Sequence, residues 1–152
     1  MNIQTVLDTA DKMLPNLMDR QLKLRFLTEI EQKIWSEVIC RHERGGRKKT
    51  WYTEDEHTID LYAHLRGGQS QEAEEEEKPP VYTESTDPGT ELLAPDANYM
   101  LYVYWILRRI DEQNLEFDKM NSHNMLFENE YGTFEDWYTR THMPLGVPQL
   151  RL

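Results

Sequence analysis

Phe117, Met120, Asn124, Phe127, Tyr131, Phe134 and Tyr138 recur at alternating spacings of three and four. That period puts them on one side of an amphipathic helix, predicted from about residue 115 to residue 141. Just before it, residues 99–107 are apolar or aromatic at every position. Tyr99, Tyr102, Val103, Ile106 and Ile110 keep helical spacing, so this run is expected inside a third helix that starts at Pro95 and Asp96 and ends near Gln113. A buried strand over residues 100–107 is the alternative, because Tyr, Val, Ile and Trp favour sheets. A helix apolar all round must be covered all round, and a short chain rarely supplies that cover alone. A neighbouring subunit is the expected supplier, with Met100, Leu101, Tyr104, Trp105, Leu107, Trp51 and Tyr52 at the interface.

Two more helices are predicted at the other end. Ile3, Val6, Leu7, Ala10 and Met13 mark a first helix closed by Pro15. Leu22, Phe26, Leu27, Ile30, Ile34, Val38 and Ile39 mark a second, with Asp19 as its expected cap and Gly45-Gly46 as its end. Between residues 45 and 95 the periodicity fails: Gly67-Gly68, the acidic run 72–77, Pro79-Pro80 and the turn Thr86-Asp87-Pro88-Gly89 interrupt every pattern. A connection this long is uncommon inside a compact domain. A short strand pair or helix around Trp51 to Leu65 is expected within it, and a mobile acidic tip at residues 68–80, which offer almost no apolar surface to bury. After Met143 two prolines and alternating apolar residues specify an extended arm, with Leu145, Val147, Leu150 and Leu152 as its docking residues. The expected fold is all-α: a small bundle of about four helices in one domain over residues 1–145, a long irregular central loop, and an extended C-terminal tail at 146–152.

Charge divides the chain. Of the formal net charge of −11, residues 1–50 contribute +3, from ten Lys and Arg against seven Asp and Glu, and the remainder contributes −14. An acidic chain is a poor ligand for nucleic acid overall. The exception is Arg41, Arg44, Arg47, Lys48 and Lys49, a cluster expected to face a negatively charged partner, either a neighbouring subunit or passing DNA. A mean hydropathy of −0.80 and the lack of any long apolar run argue against a membrane span. One cysteine, Cys40, excludes an intrachain disulfide and a thiolate zinc cluster.

Candidate chemistry is sparse. Glu54 and His57 satisfy the Glu-x-x-His spacing of carboxylate-bridged metal bundles, but those need such a unit on each of two helices and here it occurs once, in the irregular region. No Gly-rich phosphate loop and no Gly-x-Ser-x-Gly occurs. Neither a catalytic residue, a metal nor a cofactor is expected. A small helical enzyme would need convergent polar groups in a pocket, and a helical DNA binder a basic recognition helix.

Laid in order, residues 82–95 (Tyr-Thr-Glu-Ser-Thr-Asp-Pro-Gly-Thr-Glu-Leu-Leu-Ala-Pro), the aromatic run 99–107, residues 117–127 (Phe-Asp-Lys-Met-Asn-Ser-His-Asn-Met-Leu-Phe) and residues 134–144 (Phe-Glu-Asp-Trp-Tyr-Thr-Arg-Thr-His-Met-Pro) resemble the head-to-tail connector adaptors of tailed bacteriophages and Gram-positive prophages. The N-terminal helix pair, with residues 29–39, is similar too. The resemblance spans roughly residues 3–43 and 81–145, and residues 44–80 depart from the compact loop of that family. It implies an all-helical virion subunit, made in the host cytoplasm, that assembles into a homo-oligomeric ring of twelve-fold symmetry on the portal protein. Such a ring lies in the neck between capsid and tail, extends the DNA channel toward a stopper or tail-completion protein, and has the genome as a non-specific neighbour. Another phage structural or assembly protein remains the alternative.

Overall fold

The computed structural model describes residues 1–42 and 78–142, and they form an all-helical bundle. The first helix, α1, spans Ile3–Met13 and buries Ile3, Val6, Leu7 and Ala10. Its N-terminal N–H groups, which have no partner within a helix, are met from two sides. Asn2 Oδ1 accepts from the Thr5 N–H at 2.9 Å, as a capping residue does. The Thr90 and Pro88 carbonyls accept from the Ile3 and Gln4 N–H groups, so residues 88–92 lie along the start of the chain.

Helix α2 spans Arg20–Glu37. Asp19 occupies its N-cap position, but its side chain makes no capping bond. The helix stops at Glu37, short of Gly45-Gly46, and passes into a 3-10 turn at Ile39–Arg41. The turn keeps Ile39 buried, which is why the apolar periodicity reads on past the true helix end.

Residues 78–95 hold no regular element apart from an isolated bridge between Asn2 and Glu91, yet they bury Tyr82, Leu92 and Ala94. A 3-10 turn at Asp96–Asn98 follows Pro95, and helix α3 then spans Met100–Gln113. The helical reading of residues 100–107 holds, with the start displaced to Met100 by that turn.

A three-residue corner joins α3 to α4, which spans Phe117–Thr141 and is about 37 Å long at 1.5 Å per residue. At the corner the Leu115 N–H donates to the Glu112 carbonyl and the Glu116 N–H to the Asp111 carbonyl. This is the Schellman closure, in which one residue must adopt left-handed backbone. Here it is Leu115, at φ 60°, where glycine is usual.

Helix α3 is the centre of the bundle, packed by α1, α2 and α4. That placement explains why residues 99–107 lack a polar side, and it corrects the expectation drawn from them. Leu101 and Leu107, 0 % and 1 % exposed, are covered within the subunit and present nothing to a neighbour. Met100, Tyr104 and Trp105 are half-buried against the same core. The α4 seam is also shorter than its sequence pattern. Phe127, Tyr131, Phe134 and Tyr138 are buried, whereas Phe117, the first helical residue after the corner, is exposed.

Candidate interaction surfaces

Five polar residues that hydropathy alone would place outside are buried among the described residues, and three of them, Glu31, Asp111 and His42, tie separate parts of the chain together. Glu31, 0 % exposed, falls in the α2 seam between Leu27 and Ile34. The Tyr82 hydroxyl donates to its Oε2 at 2.7 Å, the Tyr102 hydroxyl donates to its Oε1, and the Leu93 N–H reaches both oxygens at 3.2 and 3.3 Å. The Ala94 N–H donates in turn to the Tyr102 oxygen at 2.9 Å. One carboxyl thereby ties residues 82–94 to α2 and α3. Burial holds it above the usual carboxylate range, against the lowering by its three donors. The same burial, with the nearby carboxyl, pushes the Tyr82 and Tyr102 hydroxyls upward.

The second group is Asp111, also fully buried, whose Oδ2 lies 2.5 Å from His123 Nδ1. The contact fixes the first turns of α4 against the end of α3. The third is His42, whose Nδ1 donates to the Val38 carbonyl at 2.7 Å while the Thr139 hydroxyl lies 3.3 Å from Nε2. Tyr138 meets the His42 ring edge-on and stacks on His142 at 3.8 Å between centroids. His42 and His142 are the last described residues before 43–77 and 143–152. His42 and His142 therefore meet at one corner of the bundle, at the C-terminal end of α4.

The other end of α4 is different. Leu115, Phe117, Met125 and Leu126 are exposed, with Met125 at 74 %, and a shallow depression is lined by residues 115–119. Trp137 lies exposed nearer the other end. Among the described residues, no three His, Cys, Asp or Glu side chains converge as a metal-binding group, and no helix is long and apolar enough to cross a membrane.

Of the residues singled out by sequence, Met100, Tyr104 and Trp105 reach the partial surface of α3, and Trp105 is held there by its Nε1 donating to the Phe26 carbonyl at 2.9 Å. Arg41 is exposed. Arg44, Arg47, Lys48, Lys49, Trp51 and Tyr52, the suggested strand pair, Glu54 and His57, most of the acidic tip, and Leu145, Val147, Leu150 and Leu152 lie outside the described residues. Sequence reasoning passed over Glu31, Asp111 and Leu115. The two acids were findable, since each sits four residues after an apolar seam position, Leu27 and Leu107. Comparison with protein-family models, curated proteins and solved structures finds no match for this chain.

Proposed function

We propose that the protein is a head-to-tail connector adaptor, a virion subunit that forms a homo-oligomeric ring on the portal protein and extends the DNA channel toward a stopper or tail-completion protein. The observation that carries the reading is where the connector-like segments fall. Residues 82–95 form the connection clasped by Glu31, residues 99–107 lie in the turn leading into the central helix and in that helix, and residues 117–127 and 134–141 make up most of α4. The resemblance thus rests on the parts that build the bundle rather than on scattered surface positions.

Two further features support it. His42 and His142 meet at one corner beside Tyr138, so the C-terminal arm begins at one end of the body, where an axial partner would lie. The net charge of −11 suits a channel wall along which DNA must slide, because like charge limits adhesion.

The decisive experiment is electron microscopy of portal-bearing capsids incubated with the purified protein. A ring seated on the portal vertex is expected. Capsids that leave the vertex bare, with the protein remaining in solution, would rule the function out.

A further inference from the structure

The outward side of α4 carries features that the subunit's own packing does not require. Phe117, Asn121, Met125, Glu128, Gly132 and Glu135 follow one another at spacings of four and three, so they share a stripe about 27 Å long. All but the half-exposed Gly132 are exposed. A methyl group added at Gly132 would meet nothing within 4 Å, so neither clash nor close approach inside the subunit calls for glycine there. In a helix interior glycine costs about 1 kcal/mol relative to alanine. Phe117 at 56 % and Met125 at 74 % exposure add solvent-facing apolar surface, and at the head of the stripe Leu115 is both exposed and left-handed. Glu128 and Glu135 form no ion pair among the described residues.

We propose that this stripe is a docking surface for a second copy of the same chain, receiving the basic stretch from Arg41 to Lys49. Charge complementarity selects the occupant. The chain's one cationic cluster precedes residue 50, and Glu128 and Glu135 give the stripe negative charge that no described cation offsets. Two patches of opposite sign suit a head-to-tail interface, in which each copy offers one patch to the copy before and the other to the copy after. Gly132 lets the incoming chain approach the helix backbone, and Met125 and Phe117 give the contact an apolar end. The surface rests on the ring reading and supplies its lateral contact.

Sedimentation velocity at low salt tests it with two charge-reversed variants. One carries Glu128→Lys and Glu135→Lys; the other carries Arg44→Glu, Arg47→Glu and Lys48→Glu. The native protein should self-associate with salt-sensitive affinity, and each variant alone should associate at least about tenfold more weakly, one tenfold step being about 1.4 kcal/mol. Mixing the two variants should restore association, because the acidified stretch of one meets the basic stripe of the other and the native pairing survives at the alternate contact. Gly132→Leu should keep its helical circular dichroism and lose association. A native protein that stays monomeric at every concentration, variants that associate as the native does, or a mixture that stays apart would each overturn the surface. A restored mixture with bare portal vertices would instead reject the connector reading and leave the surface standing.

Discussion

Glu31 shows how much one side chain can organise. Replacing it with alanine strands two hydroxyl donors and the Leu93 N–H in the core, and a buried group left without a partner costs about 1–3 kcal/mol. Glu31→Ala should therefore destabilise the protein by about 3 kcal/mol or more in urea titration. Glu31→Gln keeps the shape and can rearrange its bonds with the two hydroxyls, so a loss nearer 1 kcal/mol is expected. The two proteins should also differ in their response to pH. Burial raises the folded carboxyl above its ordinary value of 4.5, so the folded state holds that proton more tightly than the unfolded chain. The stability this lends is complete below about pH 4.5 and is lost as pH rises through the folded value. The deficit of Glu31→Gln relative to the native protein should accordingly be largest under acid conditions and shrink toward neutrality. A deficit that grows with pH would mean that the three donors outweigh burial.

Among the elements, the α3–α4 corner combines two costs in one residue. Leu115 adopts left-handed backbone that disfavours a branched side chain, and it leaves that side chain in solvent. Leu115→Gly should raise the melting temperature by about 3 °C, as a gain near 1 kcal/mol does in a chain of this size. A fall instead would show that the leucine packs on something that stabilises the isolated protein. This corner also marks the limit of what could be read from the chain. The helix pattern from Phe127 to Tyr138 was legible because those side chains bury on neighbours, and α1 was legible because Ile3 to Met13 keep helical spacing and Pro15 closes it, though its Asn2 cap was not read. Phe117 and Met120 carry the same periodicity, yet Phe117 is exposed and Met120 only half-buried, and periodicity alone cannot say which seam positions a neighbour covers. Nor could it distinguish cover by another element of the same chain from cover by another subunit, which is why Leu101 and Leu107 read as interface and proved to be core.

At the scale of the whole molecule, the described residues share one core. Residues 1–42 and 78–142 bury a continuous core, so removing residues 143–152 should leave helical circular dichroism and the melting temperature nearly unchanged. Under the connector reading, the same deletion should abolish attachment to portal-bearing capsids, because Leu145, Val147, Leu150 and Leu152 are then the anchoring contacts. Attachment that survives deletion would move the portal contact onto the bundle itself. The candidate surfaces were only partly legible from sequence: a charge cluster and an apolar tail stand out in a string of letters, but an exposed helix face appears only once its neighbours are placed.

The clasp at Glu31 also bears on how the chain finds its shape. Its partners Tyr82 and Tyr102 lie 51 and 71 residues further along, whereas three residues suffice to turn α3 into α4. The hairpin can close within microseconds from local contacts, while the clasp must wait for a large ring of chain to be gathered in. The entropy of that closure grows only with the logarithm of ring size, so doubling the intervening length adds about 0.6 kcal/mol. The span from 43 to 77 is therefore where such a protein can gain or lose sequence over generations, altering its folding rate more than its architecture.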